Sequence, residues 1–339
     1  MASKRNRIPI LVLLLAAVVG ICAAGIYSCQ GRPPGKTKIV MGVSCDPSSA
    51  PIFVAHEKGF FTQEGLDVTL SMHTTGKAAL GSLREGKVDF ATIADTVLMF
   101  AAMDNAHVTA IATISDSNSH HKIVALRSRG IKEARDLAGK KIGVTAGTSG
   151  DFFLYSFLLF KDIPDGRVQI MNLAPQEMYQ ALATGKVDAV ATWYPTVGSL
   201  MTRLGDRTVQ FGDNSYSMTW NIVGMQEYVQ KNPETVKKVI RGLMKAQDYI
   251  IDHPAESIAV TASRNRFDLA LLKSQWRNYN FNVRLGEALL VNLEDQARWA
   301  SKAYYRGADF PDFKACIYTK GLLDVESSAV SVRGSNRHQ

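Results

Sequence analysis

Short apolar runs alternate with stretches whose apolar residues recur every three or four positions, and the alternation persists to about residue 225. Residues 38–43 have the look of a strand. The polar stretch 44–50 follows, with Asp46, Pro47, Ser48 and Ser49 supplying turn and helix-capping chemistry. Pro51 suits a first helical turn and Gly59 a helix end. Leu66, Val68 and Leu70 alternate as a half-buried strand does. The plan repeats: a helix over 77–84, a strand over 88–93, a helix from Asp95 to about Met103 and a strand over 108–114. A polar loop at 115–119 then precedes a strand at 122–127. Further on come strands at 142–145, 168–171, 187–191 and 219–225, with a helix at 152–160 and another opened by Pro175 and closed by Gly185. From Pro233 the pattern is helical: 233–252, 254–263, 268–277 and 286–303. Strands alternating with helices predict α/β architecture with mostly parallel sheets.

One phrase occurs twice. Gly86, Lys87, Val88 and Asp89 recur as Gly185, Lys186, Val187 and Asp188, an offset of 99; Gly42, Val43 and Ser44 are echoed by Gly143, Val144 and Thr145, an offset of 101. Each phrase is good helix-to-strand grammar. Glycine takes the positive φ at a helix end, lysine suits the negative end of the dipole, and valine opens a buried strand. Two echoes at nearly one spacing predict two lobes built alike. Paired lobes of this kind hold a ligand in the cleft between them.

Residues 8–26 form a 19-residue apolar run behind Lys4, Arg5 and Arg7. A basic start and an apolar stretch make an export leader. It ends at Ile26, Tyr27, Ser28 and Cys29, a loose lipoprotein cleavage box with an unusual Tyr27. Lipid attachment at Cys29, an uncleaved membrane anchor and simple secretion all remain open, and all place the body outside the cytoplasm. Of the net charge of +8, the leader supplies three, so the body carries a modest +5 spread along the chain. No basic run or recognition motif points to nucleic acid. Cys45 and Cys316 match no zinc spacing; two unpaired thiols are expected, with a disulfide left open. His120 and His121, adjacent in a strand, should face opposite ways and not share a metal. No phosphate-cradling glycine loop or nucleophile elbow appears, so neither a cofactor nor a catalytic residue is assigned.

In open α/β sheets, ligands bind beyond the carboxyl ends of strands. Those ends are rich in small polar residues: Ser48 and Ser49, Thr75, Asp95, Ser117, Thr148 and Ser149. Several open helices, whose free N–H groups and partial positive charge hold anions. Each is equally a plain helix cap; five such loops on one predicted edge favour a site. Trp193 and Tyr194 are either an apolar wall or core. Asp95 binds a ligand amine or caps its helix. The absence of arginine from these loops disfavours a bidentate sulfonate clamp.

The stretch Ala50, Pro51, Ile52, Phe53 through Gly59, Phe60 and Phe61, then Glu64, Gly65, Leu66, Asp67 and Val68, resembles the opening signature of the nitrate/sulfonate/taurine/bicarbonate group of ABC-transporter substrate-binding proteins. Gly86 to Phe90, Asp136 to Val144, and Val187 to Pro195 resemble its later blocks in order. The resemblance implies a two-lobed type II periplasmic-binding-protein fold, its lobes joined by two crossover strands. It implies an exported, non-catalytic, monomeric protein that closes on a small anion or zwitterion and hands it to an inner-membrane ABC permease. Its pocket loops would supply Ser48, Ser49, Thr75, Asp95, Ser117, Thr148, Ser149 and Trp193. The expected layout is a leader at 1–29, a linker at 30–37, one lobe from 38–125 and 223–325, the other from 126–222, and a disordered tail at 326–339. The alternative is an enzyme related to thiamine-pyrimidine synthesis on the same scaffold, though the cysteine-rich motif of that enzyme is absent.

Overall fold

The computed structural model describes residues 35–212, 214–306 and 309–332. The leader, Cys29 and residues 333–339 lie outside the described residues. Two five-stranded sheets, each flanked by helices, are built on one plan. The first has the order β2-β1-β3-β10-β4 and the second β7-β6-β8-β5-β9. The first comprises β1 (Thr37–Ser44), β2 (Leu66–His73), β3 (Phe90–Ala94), β4 (Val108–Ser117) and β10 (Met218–Met225). The second comprises β5 (His121–Leu126), β6 (Lys141–Val144), β7 (Gln169–Asn172), β8 (Ala189–Trp193) and β9 (Thr208–Phe211).

Strands β1 and β3 pair in parallel, as β6 does with β7 and with β8. Each sheet also contains one inserted strand antiparallel to both its neighbours: β10 between β3 and β4, and β5 between β8 and β9. These are the strands on which the chain arrives from the other lobe. The crossings therefore fall between Ser117 and His121 and between Phe211 and Met218. That is several residues before the expected boundaries at 126 and 223, because each crossing strand belongs wholly to the sheet it enters.

The repeated phrase performs the same task twice. Gly86 and Gly185 both stand at positive φ, +69° and +74°. Asp89 then accepts from the Val40 amide at 2.7 Å, and Asp188 from the Lys141 amide at 2.9 Å. Each carboxylate pins the first strand of its lobe.

Two expectations fail. Residues 115–117 are not a loop; they pair with β10 as part of β4, and Asp116 also pairs with Asn280. Residues 326–332 are not a loose tail. Val330 bridges Leu285 and Val332 is buried in the main core, both burying apolar surface against the first lobe. Cys45 and Cys316 are both free, and burial pushes the Cys316 thiol up to about 11.

The long helix Pro233–Asp252 buries Val236, Val239, Ile240, Leu243, Ala246 and Ile250, a helical stripe that lies on helix Ala50–Glu57. Helices Pro254–Asn265 and Leu269–Gln275 continue from it over the same lobe. Among the described residues no helix is long and apolar enough to cross a membrane.

Candidate ligand cleft

A cavity of about 360 Å³, mouth included, lies between the lobes. The first lobe contributes Ser44, Asp46, Thr75, Gly76 and Lys77, and the second Thr148, Ser149 and Trp193. His120, in the crossing, and Trp220, on the returning strand, complete much of the wall.

Two helices begin here, one from each lobe. Helix Gly76–Arg84 packs against β3, and helix Ser149–Phe160 against β8 and β6. Thr75 caps the first, accepting from the Ala78 amide at 3.2 Å. Gly76 keeps the approach to β3 close: a methyl there would lie a tight 3.1 Å from the Ile93 Cα. Thr148 precedes the second helix, but its hydroxyl donates to the Thr145 carbonyl at 2.7 Å, so no side chain caps that helix. Helix starts have amides without intrahelical partners and a partial positive charge. Two of them, from opposite lobes, border one cavity, and such amides are the kind of donor that suits an anion.

The aromatic walls are held from behind. A methyl on Gly150 would lie 3.1 Å from the Trp193 ring, so that glycine lets the indole lie on the helix start. Trp220 donates its indole N–H to Ser49 Oγ at 2.9 Å.

Four of the eight expected ligand residues thus line the cavity: Thr75, Thr148, Ser149 and Trp193. The other four stand behind it. Ser49 orients Trp220. Ser48 is buried; its carbonyl accepts from Ser115 Oγ at 2.9 Å. Ser117 Oγ accepts from the Ser119 amide within the crossing. Asp95 is wholly buried and accepts from the Tyr216 hydroxyl, the Thr219 amide (3.0 Å) and Asn292 Nδ2 (2.7 Å). Burial pushes its carboxyl up, and those three donors oppose the shift. Of the two readings for Asp95, the geometry favours neither a ligand amine nor the helix cap alone: its carboxylate ties its own lobe to the returning crossing.

Several cavity residues escaped the sequence reading. Asp46 and Ser44 lay in the loop already singled out. Trp220 was read only as part of a strand; its neighbour across the sheet is Ala94, at the mouth of β3. His120 was weighed only as a metal ligand. Its ring Nε2 lies 3.3 Å from Asp46 Oδ2, both side chains almost fully buried, and its Nδ1 lies 3.0 Å from the Tyr279 hydroxyl. The expected opposite facing of His120 and His121 does not occur. The rings meet edge to face at 4.9 Å, because His120 lies in the bend before β5. His121 Nε2 pairs with Ser149 Oγ at 2.9 Å. Burial, then His120 and Lys122, hold its pKa well below the usual value, so the ring is neutral. No group of three or more His, Cys, Asp or Glu able to hold a metal stands among the described residues.

Two α/β lobes of order 2-1-3-n-4, crossed twice and with a cavity between them, define a periplasmic-binding-protein fold. The chain belongs to the family described as NMT1/THI5 like, whose model matches residues 46–257. It is 31% identical over 231 residues to a Brucella abortus protein (strain 2308) that bears only the provisional description of a binding protein; the match spans 66% of this chain and 70% of that one. It is 25% identical over 218 residues to the taurine-binding periplasmic protein of Escherichia coli K12, spanning 62% and 67%. In structure it resembles the alkanesulfonate-binding protein SsuA of Xanthomonas axonopodis pv. citri, solved with MOPS: TM-score 0.71 at 17% identity, covering 85% of this chain and 100% of that one.

Proposed function

We propose that the protein is the extracytoplasmic solute-binding component of an ABC importer, and that it captures a small anion or zwitterion of the sulfonate/taurine class by closing its lobes. The observation that carries this reading is the meeting of two helix starts, at Thr75–Gly76 and Thr148–Ser149, on one cavity between the lobes. Ligand oxygens accept from those amides and from the Thr75 and Ser149 hydroxyls, while Trp193 and Trp220 cover the apolar part. Asp46, beside His120, suits a ligand ammonium. Because the donors come from both lobes, the ligand binds the closed form better than the open one, and that difference in affinity drives closure. An inner-membrane permease recognises the closed form. The E. coli relative named for taurine supports the ligand class.

The test is a thermal-shift and calorimetric comparison of taurine, short alkanesulfonates, nitrate, bicarbonate and a pyrimidine. A ligand at 100 times its Kd should stabilise the protein by about 2.7 kcal/mol. Absence of any shift across the anions, or chemical turnover of the bound compound, would overturn the reading.

A further inference from the structure

We infer that Lys77 is the residue by which the cleft selects its ligand by charge: its stem forms part of the cavity wall, and its ammonium, held against the opposite lobe, is the counter-charge of the seated anion. This rests on the anion-binding reading above. Lys77 and Val97 line the cavity on one side and an outer groove on the other, so their side chains stand as a wall between the two spaces. Among the residues lining the cavity Lys77 is the only lysine or arginine; the one carboxylate there, Asp46, faces His120.

Nothing local asks for a cation at this place. Lys77 lies in the first turn of helix Gly76–Arg84, where the partial charge of the helix is positive and a second positive charge is unfavourable. No acidic residue stands in that turn to offset it. Its ammonium makes no ion pair with a described residue. Two carboxylates of the neighbourhood take a tyrosine hydroxyl instead. Asp104, which lines the groove, accepts from Tyr305 at 2.7 Å, and Asp151, bonded to the Gly147 amide at 2.9 Å, accepts from Tyr304.

The side chain nevertheless reaches across the cleft. Its Nζ lies 3.6 Å from the position a methyl on Gly147 would occupy. Gly147, at φ +67°, is the turn of the second lobe that leads into Thr148 and helix Ser149–Phe160. The ammonium therefore stands by both helix starts, its own and the other lobe's. It is a compact point charge without the fixed fork of a guanidinium. It attracts an anion of any shape and repels a cation, while the amides of the helix starts read the anion's outline.

Calorimetry with methanesulfonate, taurine, nitrate and bicarbonate, at low and high ionic strength, tests this on two variants. Lys77→Met keeps an unbranched stem, so the wall stays, and removes the charge. It should weaken the tightest of the four ligands at least ~5-fold and flatten the dependence of its Kd on ionic strength, since a charge-assisted contact and a screened field are lost. The melting temperature of the unliganded variant should not fall, because a cation has been taken from the positive end of a helix. Lys77→Arg keeps the charge and should recover most of the affinity and of the salt dependence. An unchanged Kd in Lys77→Met, or a weakening that leaves the salt dependence as it was, overturns the inference while the anion reading stands. A weakening matched by a lower melting temperature without ligand gives Lys77 a structural role and also overturns it. Failure of the unaltered protein to bind any of the four overturns the anion reading, and the inference with it.

Discussion

Leu271 fills the space a side chain at Gly198 would need: a methyl on Gly198 would lie 2.0 Å from Leu271 Cδ2 and 3.0 Å from its Cγ. Leu271 sits on helix Leu269–Gln275, carried by the first lobe's helices, yet it packs on the core of the second lobe. It is a contact made across the two lobes. Gly198→Ala should cost about 1–3 kcal/mol of overpacking and charge much of it to the closed form. The expected result is weaker ligand affinity with an expanded average shape in small-angle scattering. Unchanged affinity and shape would show that the contact plays no part in closure.

Tyr304 makes a second cross-lobe contact. It follows helix Glu287–Ala303, which packs on helix Asp95–Met103, and its hydroxyl donates to Asp151 while accepting from the Gly147 amide at 3.2 Å. Burial pushes the Asp151 carboxyl up, and the phenol opposes that shift. Tyr304→Phe keeps the ring and loses the bond, leaving a buried carboxylate with one donor fewer. Closed-state stability should fall by about 1 kcal/mol, read as a ~5-fold rise in ligand Kd with little change in the unliganded melting temperature. An unchanged Kd would remove the latch role.

Asp95→Asn separates structure from binding. The amide cannot accept from Tyr216, Thr219 and Asn292 together, so the variant should lose about 2–3 kcal/mol in urea unfolding. Ligand affinity of the folded fraction should stay near that of the unaltered protein. Loss of affinity without loss of stability would return Asp95 to the ligand.

His121 makes stability depend on pH. Its folded pKa is depressed below the unfolded value of 6.5, so the unfolded chain takes up the proton first. The stabilisation is complete above that value and is lost as pH falls toward the lowered folded one. Unfolding free energy should drop from pH 6.5 to 5.5 through this ring. His121→Gln should flatten that slope, as measured by urea titrations at the two pH values. An equal slope in both proteins would assign the acid sensitivity to other groups.

Cleft chemistry was half legible. Thr75, Thr148 and Ser149 were found because a small hydroxyl at a helix start after a strand has a local signature. The same signature marked Ser48 and Asp95, which are buried behind the cavity, because a capping residue reads alike whichever way its helix start faces. Trp220 was missed because nothing local distinguishes a cavity wall from a strand residue.

The duplicated Gly-Lys-Val-Asp phrase, together with the echo of Gly42 at Gly143, pointed to two lobes wound alike, since each phrase ends a helix on a positive-φ glycine and leads into a buried strand. Tertiary structure decided what the aspartates do and which helix starts meet. Asp89 and Asp188 find their partners 49 and 47 residues away. The two helix starts on the cavity are brought together by crossings whose order in each sheet depends on packing of the whole chain. Contacts of such separation depend on how the sheets assemble, which no local run of residues encodes.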